Sequence, residues 1–326
     1  MRVRDKILSV LREGGCLRQC DIARALGASR SYVSEVLRKL VSEGAVERIV
    51  EGGVVKYRVR APESFRGRTL KLGIVWASEY PFTALFAKLA ERKLGLRIKV
   101  LVYPSALEAT ISCITGETQL VLSPLPTQFL LASLTRSLII IGGGASGGAW
   151  VYENPFAREE KALSSMASSM EVMLRIALGT GIRIEYASSG EELLRKTLLG
   201  RARYVAVWEP LATRIEMHGM KKITGMNELG IPHCCTLAAS RSLGEELLRN
   251  LSRIYAESLE EYKKKPMAHL EWYSALTGIP VDLLKKTVQS YMVEEEVGVW
   301  EAVRFMDKAG IKIPSPAMLR EFVLRN

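Results

Sequence analysis

The chain has 326 residues, 48% of them apolar and 25% charged, and a formal net charge of +11. At roughly 150 residues per domain that length predicts about two domains, and the composition excludes a disordered, collagenous or coiled-coil chain. The charge is uneven: residues 1–68 carry 15 Lys/Arg against 8 Asp/Glu, and the other 258 carry 31 against 27. A basic segment beside a nearly neutral body is expected of a polyanion-binding module joined to something else. No apolar run reaches the ~18 residues that span a bilayer, and the longest, 137–152, is about half Gly, Ala and Ser. Residues 1–13 alternate charged and apolar positions and lack the unbroken apolar stretch of a signal peptide. Five cysteines in a chain this long do not make a disulfide framework. A cytoplasmic protein with no membrane partner is expected.

Ile7, Leu8 and Leu11 mark a first helix that stops at Gly14-Gly15. Ile22, Ala23 and Leu26 mark a second, broken at Gly27. A third follows, capped by Ser29, with Val33, Val36, Leu37 and Leu40 at helical spacing and Gly44 after its end. Residues 45–50 and 54–59 flank Glu51-Gly52-Gly53 and read as a hairpin.

That order, with the stretch from Arg18 through Ile22-Ala23 and Leu26-Gly27 to Ser29-Arg30-Ser31-Tyr32-Val33-Ser34, resembles the winged helix-turn-helix of bacterial and archaeal regulators over residues 1–60. Such a module implies double-stranded operator DNA as partner. Arg30, Ser31, Ser34, Glu35 and Arg38 lie off the apolar stripe of the third helix and would face a major groove. Arg30 and Ser31 are the candidates for base edges. Tyr32, Arg38 and Lys39, and Arg48, Lys56 and Arg58 on the wing, would touch phosphates; Arg18 and Ser29 complete the candidate surface. The alternative is that these charges solvate the helix and the module only dimerises. Cys16 and Cys20 have no third or fourth ligand nearby in sequence and read as small apolar fillers.

Residues 61–68, with Pro62 and Gly67, read as a linker. Beyond it strand-like and helix-like segments alternate: strands at 70–75, 97–103, 120–122 and 138–141, helices at 82–94, 107–115 and 126–134. This is α/β patterning with a parallel sheet. A helix, Gly116-Glu117, an apolar strand and Pro124 are echoed by a helix, Gly200-Arg201, a strand at 204–207 and Pro210, which suggests two similar lobes with a cleft between them. Helices are expected at 243–265, 266–276, 281–293 and 299–309.

Ala206-Val207-Trp208-Glu209-Pro210-Leu211-Ala212, followed by Gly219, resembles the second-lobe signature of type II periplasmic-binding-protein domains. The nearest branch is that of nitrate, sulfonate and taurine binding proteins and thiamine-pyrimidine (THI5-like) proteins. The resemblance implies a ligand domain over 69–326, with one lobe at about 69–148 and 236–326 and the other at about 149–235. It also implies ligand contacts from loops after strand ends. Those loops supply Trp76, Ser78, Glu79, Tyr80, Ser105, Ser123, Ser146, Ser168, Ser169, Trp208 and Glu209: aromatics, hydroxyls and two carboxylates, without Lys or Arg. Serines and helix starts suit an anion; stacking rings and carboxylates suit an amine-bearing heterocycle such as a thiamine pyrimidine precursor, which the set slightly favours.

Residues 142–147 satisfy G-x-G-x-x-G, but a strand-like segment follows rather than a helix, so they read as a hinge or cleft loop and not a nucleotide site. His233-Cys234-Cys235 is the most reactive-looking cluster. THI5-like synthases carry a cysteine-rich motif in a similar region, but adjacent cysteines on a strand face opposite ways and share a metal poorly. No metal, cofactor or catalytic residue is therefore expected. The reading is a ligand-responsive, homodimeric transcriptional regulator with a small-molecule effector; a THI5-like synthase or a cytoplasmic binding protein is the alternative.

Overall fold

The computed structural model describes residues 3–59, 65, 67–312 and 319–324. Most of the expected linker lies outside the described residues. The chain divides into two compact units, residues 1–68 with 91–97, and residues 69–90 with 98–326.

In the smaller unit, α1 (Val3–Gly14), α2 (Gln19–Leu26) and α3 (Arg30–Ser42) precede a hairpin of β1 (Val46–Glu51) and β2 (Val54–Val59). Ile7, Leu11, Ile22, Val33, Leu37, Leu40 and Val46 are buried in one cluster. Each such side chain withdrawn from water contributes roughly 1.5–3 kcal/mol, which fixes the face of α3 turned inward. Ser29 caps α3 by accepting the Tyr32 amide at 3.3 Å. Gly52 and Gly53 both take positive φ, 56° and 78°, as the two-residue turn between twisted antiparallel strands requires.

The larger unit contains two mixed sheets. One has six strands in the order β13-β6-β12-β5-β3-β4, and the other five in the order β11-β7-β10-β8-β9. β3 (Thr69–Val75), β4 (Arg97–Tyr103), β5 (Leu120–Pro124) and β6 (Leu138–Gly147) alternate with α4 (Thr83–Leu94), α5 (Ala106–Ile114) and α6 (Leu125–Thr135). The chain then builds the second sheet from β7 (Ala149–Glu153), β8 (Ala162–Ser165), β9 (Ile184–Ala187), β10 (Tyr204–Trp208) and β11 (Lys221–Gly225). Its helices are α7 (Ser169–Leu178), α8 (Gly190–Leu198) and α9 (Leu211–Glu216). It returns to the first sheet as β12 (Cys235–Ser240), followed by α10 (Glu245–Lys264), α11 (Leu270–Thr277), α12 (Val281–Thr287), β13 (Tyr291–Glu294) and α13 (Val299–Lys308).

Three expectations are corrected here. The sheets are mixed rather than parallel: helical crossovers make β3–β5 and β8–β9 parallel, whereas β12 re-enters antiparallel to both β5 and β6. The helix expected over 281–293 ends early, and Tyr291–Glu294 instead pairs with Gly144–Gly147 of β6. The glycine run is no loop. It continues β6 between β12 and β13, where a Cβ on Gly142 would meet the Tyr255 ring at 2.5 Å and one on Gly143 or Gly144 would overlap backbone carbonyls. The glycines are there because neighbouring chain passes too close for a side chain.

Candidate functional site

The exposed face of α3 presents Arg30, Ser31, Tyr32, Glu35, Arg38 and Lys39, with Ser34 half-buried beside them. Several of the candidate cations are already paired. Arg18 donates to both carboxylate oxygens of Asp21, at 2.8 and 3.1 Å. Lys56 contacts Glu51 at 2.9 Å, and Arg58 pairs with Glu47. Arg30, Arg38, Lys39 and Arg48 have no acidic partner among the described residues. Among the candidate cations, those without an acidic partner are thus Arg30, Arg38 and Lys39 on α3 and Arg48 on the wing.

In the larger unit a cleft runs between the two lobes. It is lined by Glu79, Tyr80, Ser105, Ser165, Ser168, Ser189, Trp208, Cys234 and Cys235, with Val75, Ala77, Pro104, Ala106, Pro124, Met170 and Ala187. Three helices begin at this cleft, each behind a serine cap and a glutamate. Ser105 accepts the Glu108 amide at 3.2 Å, Ser168 the Met170 amide at 3.2 Å, and Ser189 the Glu192 amide at 3.1 Å. The glutamates reach back: Glu171 accepts the Ala167 amide at 2.9 Å and Glu192 the Ser188 amide at 2.7 Å. The first turns of α5, α7 and α8 therefore border one cavity, through Ser105 and Ala106, Ser168 and Met170, and Ser189.

The lobes are hydrogen-bonded together around it. The Trp208 indole N–H donates to the Trp76 carbonyl at 2.9 Å, and the Ser78 amide to the Glu209 carbonyl at 3.0 Å. Ser169 donates to the Cys234 carbonyl at 3.0 Å and Thr127 to the Ala167 carbonyl at 2.7 Å. The cavity left between these bridges is about 30 Å³, room for about two waters. The lobes therefore stand close together across the cleft.

Of the eleven expected ligand residues, Glu79, Tyr80, Ser105, Ser168 and Trp208 line the cleft. The other six are used elsewhere. Trp76 donates its indole N–H to the Thr277 carbonyl at 3.0 Å, and Ser78 accepts from Thr287 at 2.8 Å. Ser123 is bonded by Thr110 and Gln128, and Ser169 spans to Cys234. Ser146 sits within β6 opposite Met292. Glu209 accepts the amide and hydroxyl of Thr213 at 3.1 and 3.0 Å at the start of α9, and burial raises its pKa. Ser165 and Ser189 also line the cleft, as do Cys234 and Cys235, which the sequence marks out as reactive but not as ligand contacts. Ser189 was findable, since Ser-x-x-Glu recurs at 105–108, 168–171 and 189–192.

Glu79 is fully buried, its Oε1 has no hydrogen-bond partner, and burial pushes its pKa up to about 8, which favours the neutral carboxyl. Tyr80 donates to Cys235 Sγ at 2.8 Å, and the Cys234 and Cys235 sulfurs lie 3.8 Å apart. The expectation that the two thiols point apart is corrected: β12 begins at Cys235, so Cys234 escapes the strand's alternation. His233 does separate from them. It accepts the Gly298 amide at 3.2 Å and stands 4.0 Å from Glu294, and burial lowers its pKa.

Residues 1–55 match the bacterial regulatory proteins of the gntR family. The rest is similar in structure to the alkanesulfonate-binding protein SsuA from Xanthomonas axonopodis pv. citri bound to MOPS, with 12% identity and a TM-score of 0.63 over 80% of this chain and 99% of that one. It is also similar to the periplasmic nitrate-binding protein NrtA from Synechocystis PCC 6803, with 10% identity and a TM-score of 0.65 over 81% and 87%. A Candida albicans gene product with the generic periplasmic binding protein fold aligns at 12% identity and a TM-score of 0.59 over 79% and 96%. The chain is a helix-turn-helix module fused to a periplasmic-binding-protein fold. At these identities the structural likeness establishes the fold. No curated protein matches by sequence. Among the described residues, no helix is long and apolar enough to cross a membrane.

Proposed function

We propose that the chain is a ligand-responsive transcription regulator. Its helix-turn-helix binds operator DNA as part of a homodimer, since a single recognition helix reads only one half-site. Its two-lobed domain holds a small metabolite with an anionic head. The observation that carries the ligand class is the convergence of three serine-capped helix starts on the cleft, which together present amides and positive dipole ends to one charge. The burial of Glu79 is compatible with the same class, because it disfavours a repelling carboxylate charge in the cleft. Trp208 and Tyr80 would pack the remainder of the ligand. With Trp76 and Glu209 turned to other partners, the case for a flat pyrimidine weakens. Effector binding would favour the closed lobes and, through that equilibrium, change operator affinity by the same factor by which DNA changes effector affinity.

The test is a thermal-unfolding screen of the full chain against taurine, longer alkanesulfonates, nitrate, bicarbonate, thiamine and hydroxymethylpyrimidine, followed by duplex binding with each hit. A specific ligand at 100 times its dissociation constant adds about 2.7 kcal/mol of stability. The expected hit is an anion that also shifts duplex affinity. Stabilisation by the pyrimidine alone would overturn the ligand class, and a hit with no effect on duplex binding would overturn the regulator.

A further inference from the structure

At the floor of the cleft, one carboxyl oxygen and two thiol sulfurs, from Glu79, Cys234 and Cys235, lie within 4.8 Å of one another, and all three residues are buried. The sulfurs are 3.8 Å apart. Two thiolates bound at ~2.3 Å to a tetrahedral Zn²⁺ stand about 3.8 Å from each other, so the pair already has the spacing of one tetrahedral edge. Glu79 Oε1 has no hydrogen-bond partner, so the buried carboxyl keeps an oxygen free to bind a cation. The backbone around the thiols is fixed. The Cys234 amide donates to the Ala145 carbonyl at 2.9 Å, while its own carbonyl accepts from the Leu125 amide and the Ser169 hydroxyl. The Tyr80 hydroxyl, 2.8 Å from Cys235 Sγ, is placed to donate to a bound thiolate, as outer groups around metal ligands do.

We infer that Glu79, Cys234 and Cys235 form a binding site for one thiophilic divalent ion of the Zn²⁺ type, with a fourth coordination position open to the cleft. Two soft sulfurs with one carboxylate exclude Mg²⁺ and Ca²⁺, which take oxygen ligands. Loading forms two metal–sulfur bonds and one metal–oxygen bond and releases the thiol and carboxyl protons to solvent. No electron is transferred. The three ligands outweigh the dication by one negative charge, and the starts of α5, α7 and α8 border the same cavity. An open coordination position beside those helix starts can bind an anion directly. The site shares the cleft with the proposed effector, but binding of the metal alone does not depend on the regulator reading.

The experiment titrates the reduced, metal-free full chain with Zn²⁺ by calorimetry and with Co²⁺ by absorption spectroscopy, without effector or DNA. One ion per chain is expected, with Co²⁺ giving sulfur-to-metal charge-transfer bands and the strong d–d bands of a tetrahedral site. Both signatures should vanish in Cys234→Ser and Cys235→Ser. Glu79→Gln should weaken binding by roughly 10-fold or more. The Cys16→Ser/Cys20→Ser double variant should keep the site. The spectrum of the unmutated chain decides the ligand type even if a cysteine variant fails to fold, and Glu79→Gln preserves side-chain volume. No stoichiometric binding, a Co²⁺ spectrum without thiolate bands, or loss of binding in the Cys16/Cys20 variant would overturn the assignment.

Discussion

Gly144→Ala tests whether the glycine run is a packing device. In β6, Gly144 stands opposite Thr236 of β12 on one side and Glu294 of β13 on the other. An added Cβ would overlap the Cys235 carbonyl oxygen and lie 2.9 Å from its carbon and 3.1 Å from the Thr236 Cα. These are all backbone atoms, so no rotamer change relieves the clash, and strands on both sides resist a shift. The cost belongs at the upper end of overpacking, about 3 kcal/mol. Reduced freedom of the unfolded chain returns roughly 0.4–1 kcal/mol. A net loss of about 2 kcal/mol lowers Tm by roughly 4–8 °C in a domain of this size. Gly181→Ala is the control, because nothing lies within 4 Å of its Cβ and its φ is not in the left-handed region. All five tryptophans lie between residues 76 and 300, so thermal unfolding followed by tryptophan fluorescence reports the larger unit alone. If Gly144→Ala melts no lower than Gly181→Ala, β6 can yield at the glycines and the packing argument is wrong.

Two further outcomes follow from the charges. Arg38 has no acidic partner among the described residues, so Arg38→Ala should lower the slope of log affinity against log salt for duplex DNA by about 0.9, one phosphate contact; an unchanged slope in fluorescence anisotropy would remove Arg38 from the interface. The Glu192 carboxylate, held by the hydroxyl and amide of Ser188 and by Lys196, has its pKa lowered from 4.5 to about 2. Its folded-state value is depressed, so the stability it contributes is present above pH 4.5 and is lost as pH falls from about 4.5 towards 2. Because the group is still partly exposed to solvent, screening keeps the contribution below about 1 kcal/mol. Glu192→Gln should lower the urea midpoint at neutral pH and converge on the parent near pH 2 or 3, and a constant difference across that range would refute the assignment.

The helix-turn-helix was legible in the sequence because each of its determinants is local. An apolar stripe at helical spacing, Ser29 as a cap and Gly52-Gly53 as a turn act within a few residues of where they stand. The alternation that gave the two-lobed fold was legible for the same reason. The extension of β6 through its glycines was not, because Gly142–Gly147 carry almost no propensity of their own and are held as strand by β12, β13 and the buried Tyr255 ring. Trp76 and Glu209 had the right chemistry for a ligand site, yet α11 and α9 supply them with closer partners. Sequence fixed which side chains stand at the strand ends and which serines begin helices. Tertiary structure alone decided which of them face the cleft, and only there do Glu79 and the sulfurs of Cys234 and Cys235, 155 and 156 positions further along, come within ligand distance of one another. A hydrogen bond or metal ligand depends on separation in space, and for these residues that separation is set by the return of β12 from the second lobe.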